Sequence, residues 1–130
     1  MLVRLVVVAT SLVVAASTAF AGTLTGQVVK VADGDTITVL ENNAQHRVRL
    51  QGIDAPEKGQ AYGNASRKHL ASLVAGKTVT VEWDKRDRYG RILGKVMLGA
   101  VDVCLEQVRA GHAWHFKRYQ HEQSPDRGRE

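Results

Sequence analysis

Apolar and polar residues alternate along three stretches of the first half of the chain, Thr25 to Ala32, Thr36 to Leu40 and His46 to Gln51. A period of two predicts strands with one face on a core and the other in water. Asn42-Asn43 supplies the turn between the second and third, so the three read as a meander. The period then changes. Between Tyr62 and Ala75, Leu70, Leu73 and Val74 share one helical face and Arg67, Lys68 and Ser72 another, with Gly76 placed to end the helix. Strands resume at Thr78 to Trp83 and Arg91 to Leu98, and the connection between them, Asp84 to Gly90, is too charged for a core. A second, shorter helix is predicted over Val103 to Ala110, with Asp102 as N-cap, Leu105 and Val108 facing inward, and Gly111 ending it. Five strands with interposed helices and no internal repeat predict a mainly β (α+β) domain built on a small closed barrel. The pattern alone does not choose between an OB-fold and another barrel. From His115 onward the apolar periodicity is lost, and 115–130 reads as a loop or tail.

The start of the chain belongs to a different class of segment. Arg4 gives a positive first region, Leu5 to Ala16 an apolar run and Ala19-Phe20-Ala21 a small-x-small cleavage site, so residues 1–21 are predicted to be a signal peptide cleaved after Ala21. The apolar run is interrupted by Thr10 and Ser11 and falls short of the roughly 20 residues a membrane span needs. What remains, Gly22 to Glu130, has length for one small domain, assigned to 22–114, followed by the tail. The formal charge of the whole chain is +5. A modest excess of that kind favours a polyanionic partner without specifying one. Its placement says more, because Lys85, Arg86, Arg88 and Arg91 fall close together. With a single cysteine, Cys104, no intramolecular disulfide can form, and in a helical pattern this residue reads as a small buried hydrophobe.

Three blocks carry the candidate chemistry: Asp33-Gly34-Asp35-Thr36, Arg49-Leu50-Gln51-Gly52-Ile53-Asp54-Ala55-Pro56-Glu57, and Asp87-Arg88-Tyr89-Gly90-Arg91. Asp35 and Asp54, at turn and strand-end positions, can converge as oxygen ligands for a hard cation, and calcium leads in a set without His or Cys. Glu57 follows Pro56, which fixes the backbone and helps to aim the carboxylate. Arg49 and Arg91 can each fork onto phosphoryl oxygens. Lys85, Arg88 and Tyr89 stand beside Arg91 and could hold a flanking nucleotide by charge, hydrogen bonding or stacking. A zinc site from His112, His115 and His121 is disfavoured, since neither Cys nor acid stands at ligand spacing. Asp54 and Glu57 could form a glycosidase pair, but two arginines serve phosphate chemistry, not sugar hydrolysis.

Taken singly these pieces are weak; in this order the three blocks resemble the staphylococcal nuclease (thermonuclease) family, from about Thr25 to about Ala113. The resemblance implies an OB-fold barrel and Ca²⁺ held by Asp35, Asp54 and the backbone carbonyl of Ala55, with Asp33 acting through water or a neighbouring ligand. It implies Glu57 as general base, although a carboxylate with a pKa of about 4 is a weak base and can instead orient water. It also implies Arg49 and Arg91 on the scissile phosphate, and products ending in a 3′-phosphate. The family normally continues into a third helix that packs on the barrel, and here that C-terminal helix is expected to be missing or truncated. The sequence therefore predicts a calcium-dependent nuclease of DNA and RNA with low sequence specificity, single strands favoured. It would be monomeric, secreted or periplasmic, and free of stable membrane association once the leader is removed. Two rivals stand beside it: a non-catalytic OB-fold module binding nucleic acid or protein, and an inactive truncated nuclease.

Overall fold

Strand β1 (Gly22–Asp33) turns through Gly34-Asp35 into β2 (Thr36–Glu41), and β2 turns through Asn42-Asn43 into β3 (Ala44–Leu50). Both asparagines have positive φ, 49° and 65°, the backbone that a two-residue hairpin requires and that Asn tolerates. The meander is antiparallel throughout, from Gln27↔Leu40 to Asp33↔Thr36 and from Thr36↔Arg49 to Glu41↔Ala44. Strand β5 (Thr78–Arg86) pairs with the free edge of β1, and β6 (Ile92–Leu98) pairs with β5. A parallel pairing of β3 with β6, Val48↔Ile92 to Leu50↔Gly94, then closes the sheet into a five-stranded barrel. That topology, which periodicity did not determine, is the OB-fold. Gly94 sits at the closure, where a Cβ would overlap Val81 Cγ1. This computed structural model describes residues 22–115 together with Val3 and residues 6–9. Most of the predicted leader, and 116–130 with the question of a third helix, lie outside the described residues.

Period-two burial fills the barrel. Leu24 and Val28 of β1, Ile37 and Val39 of β2, Val48 and Leu50 of β3, Val79 and Val81 of β5, and Ile92 and Val96 of β6 are all buried. Each such side chain contributes on the order of 1.5–3 kcal/mol by leaving water. Helix α1 (Gly63–Val74) lies against β1 with Gly63, Ser66, Leu70 and Val74 buried. Its exit is tied to β1 by hydrogen bonds from Gly76 N–H to the Val28 carbonyl (3.0 Å) and from Val28 N–H to the Lys77 carbonyl (2.9 Å). Helix α2 (Val103–Arg109) starts on the Asp102 carboxylate, which accepts the Leu105 N–H at 3.1 Å, and it packs on β6.

Four features differ from the pattern-based expectations. Strand β5 runs on from Trp83 to Arg86, because exposed Lys85 and Arg86 still pair with Leu93 and Ile92 at a rim where no alternation of burial is required. Three two-residue strands, β4 (Ile53–Asp54), β7 (Val101–Asp102) and β8 (Trp114–His115), were too short to leave a periodic signal. The pairing of β4 with β8 places His115 in a strand at the start of the predicted tail. In α2 the buried residues are Val103, Cys104 and Gln107, and Val108 packs half-buried against the core as expected, whereas Leu105 is 41 % exposed. Helical geometry carries the Val103 face on to Gln107, so a polar residue takes the place that hydrophobicity assigned to Leu105.

Candidate active site

The β1–β2 turn holds Asp35 because three elements meet beneath it. Gly34 lies directly on α1, where a Cβ would overlap Ser66 Oγ. Gln107 of α2, fully buried, donates from Nε2 to the Gly34 carbonyl (2.8 Å) and the Ser66 carbonyl (3.2 Å), and its Oε1 contacts His69 Nδ1. Ser66 Oγ donates to the His112 carbonyl at 2.6 Å, and the His112 ring stacks on His69 at 4.6 Å between centroids. A satisfied polar network of this kind rigidifies whatever it supports, here the Asp33-Gly34-Asp35 turn.

Asp35 and Asp54, from segments 19 positions apart in sequence, meet on Arg49. Arg49 Nη2 lies 3.1 Å from Asp54 Oδ1 and 3.4 Å from Asp35 Oδ2, while Nη1 donates to the carbonyls of Leu50 (2.9 Å) and Ile53 (2.8 Å). The Ala55 N–H also reaches both carboxylates, at 3.0 Å to Asp35 Oδ2 and 3.1 Å to Asp54 Oδ1. Burial pushes the Asp35 carboxyl above its ordinary range, the Asp54 charge adding to it. The Arg49 charge and hydrogen bonds from Thr36 Oγ1 and Ala55 N–H do not fully offset the rise.

This donor set fits a hard divalent cation: two carboxylates from distant segments, oxygen only, with Asp54 half open to solvent at 39 % exposure. Among the described residues no third His, Cys, Asp or Glu joins them at metal-binding distance. Further ligands would come from backbone carbonyls, water or a phosphate oxygen. Asp33 is used differently, its Oδ1 accepting the Lys58 N–H at 3.0 Å and so pinning the loop after β4 to the end of β1.

A second group of predicted residues meets in a cleft of about 450 Å³ walled by Arg47, Glu57, Tyr89 and Arg91. Glu57 is exposed, on a short turn in which its N–H donates to Gln60 Oε1 (2.8 Å) and its carbonyl accepts the Gln60 N–H (2.9 Å). Arg91 precedes β6 and donates from Nε to Asp87 Oδ2 at 2.7 Å. Its guanidinium carbon is 5.4 Å from the Tyr89 ring centre, and that of Arg88 is 5.0 Å away, so the exposed phenol lies among two cations. Lys85, exposed on β5, and Arg88, exposed in the turn before β6, are not part of this cleft wall, and neither is Arg49, whose guanidinium is turned to the two aspartates.

Three residues with evident roles in this geometry were given none from the sequence, although Asp87 opens the third block. Arg47 reaches the cleft and donates from Nη2 to the Tyr89 carbonyl at 2.8 Å; its signal was the alternation that places it on the same face of β3 as Arg49, either side of buried Val48. Asp87 orients Arg91, and its signal was a spacing of four across a turn containing Gly90. Gln107 carries the turn of Asp35, and its signal was its place one helical turn after Val103.

Comparison with known proteins agrees with this architecture. The family described as staphylococcal nuclease homologue matches residues 47–128. A protein of Escherichia coli named "Uncharacterized endonuclease" is 54 % identical over 95 residues, covering 72 % of this chain and 62 % of that protein. One of the same name from Haemophilus influenzae is 46 % identical over 99 residues, covering 75 % and 56 %. A "Micrococcal nuclease" of Shigella flexneri is 42 % identical over 103 residues, covering 72 % and 59 %. In each of these alignments the chain spans less than two thirds of its relative's length. The match over most of the chain, on an OB-fold barrel, places this protein in the staphylococcal nuclease homologue family.

Proposed function

We propose that this protein is an exported, calcium-dependent nuclease that hydrolyses phosphodiester bonds of DNA and RNA with little sequence preference. The observation that carries this reading is the cleft in which the Glu57 carboxylate and the Arg91 guanidinium share one wall system with Arg47 and Tyr89. An acid able to position water and cations able to bind phosphate are what hydrolysis of a phosphodiester needs. The nuclease names of the relatives support it, and the Arg4-led apolar segment with Ala19-Phe20-Ala21 supports export to the periplasm or medium. The protein would act as a monomer.

In the proposed reaction Arg91 donates to a non-bridging phosphoryl oxygen, where negative charge grows during in-line attack. Glu57, exposed in the cleft wall, orients a water or takes its proton. The water oxygen bonds to phosphorus as the bond to the 5′ oxygen breaks, and that oxygen takes a proton from solvent, leaving a 3′-phosphate and a 5′-hydroxyl. Tyr89 and Arg88 hold the neighbouring nucleotide by stacking and charge. Arg49 sets the spacing of Asp35 and Asp54 and can turn a donor to the phosphate when those carboxylates gain another partner. Asp35, Asp54 and the Ala55 carbonyl would hold the calcium, which would supply Lewis-acid polarisation of the phosphate and offset its charge.

One observation favours a non-catalytic binding module, namely that Arg49 is committed to four protein acceptors and not to the cleft. Digestion of single-stranded DNA by the purified protein decides between the readings. Cleavage should require Ca²⁺ at about millimolar level and stop in EGTA. Full activity in EGTA with Mg²⁺ alone would remove calcium from the proposal, and tight binding of the strand without cleavage under any metal would establish the module.

A further inference from the structure

A second groove, of about 400 Å³, shares Glu57 with the cleft. Its cations come from three separate elements: Lys30 near the end of β1, Lys58 from the loop after β4, and Arg67 from α1. Among the described residues none of the three is in an ion pair. Of the two acids in its wall, Asp33 already accepts the Lys58 N–H, and Glu57 belongs equally to the cleft.

Two details separate this groove from an ordinary solvated basic surface. Arg67, which the hydrophobic pattern puts on the outer face of α1, is half-buried, and its guanidinium is held by Nη2 on Asn64 Oδ1 at 2.9 Å. Its Nε is enclosed without any acceptor, so the guanidinium sits in this wall with its donors only partly used. The end of β1 also breaks register with β2 twice, between Val28 and Lys30 and between Val31 and Asp33. Such bulges re-aim side chains beside functional sites.

We infer that this groove is a backbone track: it takes the sugar-phosphate chain of a single-stranded nucleic acid that continues from the cleft past Glu57. Lys30, Lys58 and Arg67 contact phosphates, and half-buried Val31 and Ala32 of the same wall meet a sugar or base edge. The identity of the polyanion rests on the nuclease reading of the first cleft. The track contributes to binding and not to the bond-breaking step, so it acts only on strands long enough to occupy both grooves.

The test compares the full chain with Lys30→Gln/Lys58→Gln and with the triple variant that adds Arg67→Gln; Arg67→Lys serves as a charge-preserving control for folding. Cleavage of a thymidine dinucleotide and of a dodecathymidylate is measured with Ca²⁺, and binding of fluorescein-labelled dodecathymidylate is measured in EGTA across a salt series. For the long strand, KM and Kd should rise on the order of tenfold, and the slope of log affinity against log salt should fall by about 0.7 for each phosphate that the variant no longer neutralises. Dinucleotide cleavage should be unchanged. Wild-type KM and salt slope for the long strand in both variants would overturn the track, and if the wild type still cleaves, the nuclease reading survives. If the wild type binds the long strand with this charge dependence yet cleaves nothing, the track stands and the nuclease reading falls.

Discussion

Arg91 Nε donates to Asp87 Oδ2 at 2.7 Å while Asp87 Oδ1 accepts the backbone N–H groups of Tyr89 and Arg91, each at 2.9 Å. One carboxylate therefore closes the β5–β6 turn and fixes the cation at its end. Burial pushes the Asp87 carboxyl up, but the Arg91 N–H and Nε, the Tyr89 N–H and the Arg91 charge outweigh it and hold it below its ordinary value of 3.8. Because the folded pKa is depressed, the stabilisation is present above 3.8 and is lost as pH falls through the lower folded value. Asp87→Asn should melt below wild type at pH 7, with the gap closing in acid below that range. Its turnover should fall by less than the roughly 10²- to 10³-fold expected for loss of a phosphate donor. A gap in melting temperature that widens in acid would contradict the assignment.

Arg49 and Arg91 should separate in stability although both matter for turnover. Arg49, 13 % exposed, is the counter-charge of buried Asp35, which is 10 % exposed. Arg49→Ala leaves that charge with only its Thr36 and Ala55 donors, beside the Asp54 charge, and strips the Leu50 and Ile53 carbonyls of a donor. Breaking a buried pair typically costs about 3–5 kcal/mol. Arg91→Ala touches a more open pair and should melt close to wild type. Both should lose two or more orders of magnitude in turnover on single-stranded DNA. An Arg49→Ala protein as stable as wild type would remove its bridging role.

The barrel was legible because each of its strands alternates over five residues or more, and burial of Leu24, Val28, Ile37, Val39, Val48 and Leu50 follows that alternation. Closure was not, since the β3–β6 pairing joins residues such as Val48 and Ile92 that no local period connects. Asp35 and Asp54 could be singled out as charged residues at turns, yet their meeting on Arg49 depends on closure. Gln107 escaped notice because hydrophobicity marks what leaves water willingly, and a buried amide is held by its partners instead. Lys85 shows the converse: adjacency to Arg91 in sequence did not carry it into the cleft wall, because β5 continues past Trp83 and keeps it on an exposed rim.

Gln107→Leu conserves much of the volume and removes the donor for the Gly34 and Ser66 carbonyls as well as the partner of His69. A buried polar group left unpaired costs about 1–3 kcal/mol, so a loss of at least that order is expected in denaturant titration. Because Gly34 precedes Asp35, the looser turn should also raise the Ca²⁺ concentration needed for half-maximal cleavage. Unchanged calcium dependence in a destabilised variant would confine Gln107 to the core.

Asp35→Asn should stabilise the protein where calcium is absent, because Arg49, unlike Asp35, keeps a charged partner in Asp54 and two carbonyl acceptors when the pair is broken. The folded pKa of Asp35 is raised, chiefly by burial, so its favourable contribution belongs to the protonated form, present below 3.8 and lost as pH rises through the folded value. At neutral pH the wild type therefore holds a charge that Arg49, Thr36 and Ala55 do not fully compensate. The variant should melt higher than wild type at pH 7 in EGTA, and the difference should shrink toward pH 3. Adding calcium and a nucleoside bisphosphate should reverse the order, because a ligand that binds only the folded wild type adds about 2.7 kcal/mol at a hundredfold excess over its Kd and the variant lacks a ligating charge. The same substitution should abolish cleavage. If Asp35→Asn melts lower in EGTA at pH 7, the carboxylate is serving the fold through its hydrogen bonds to Thr36 and Ala55. A charge kept at the expense of stability would then no longer mark this position.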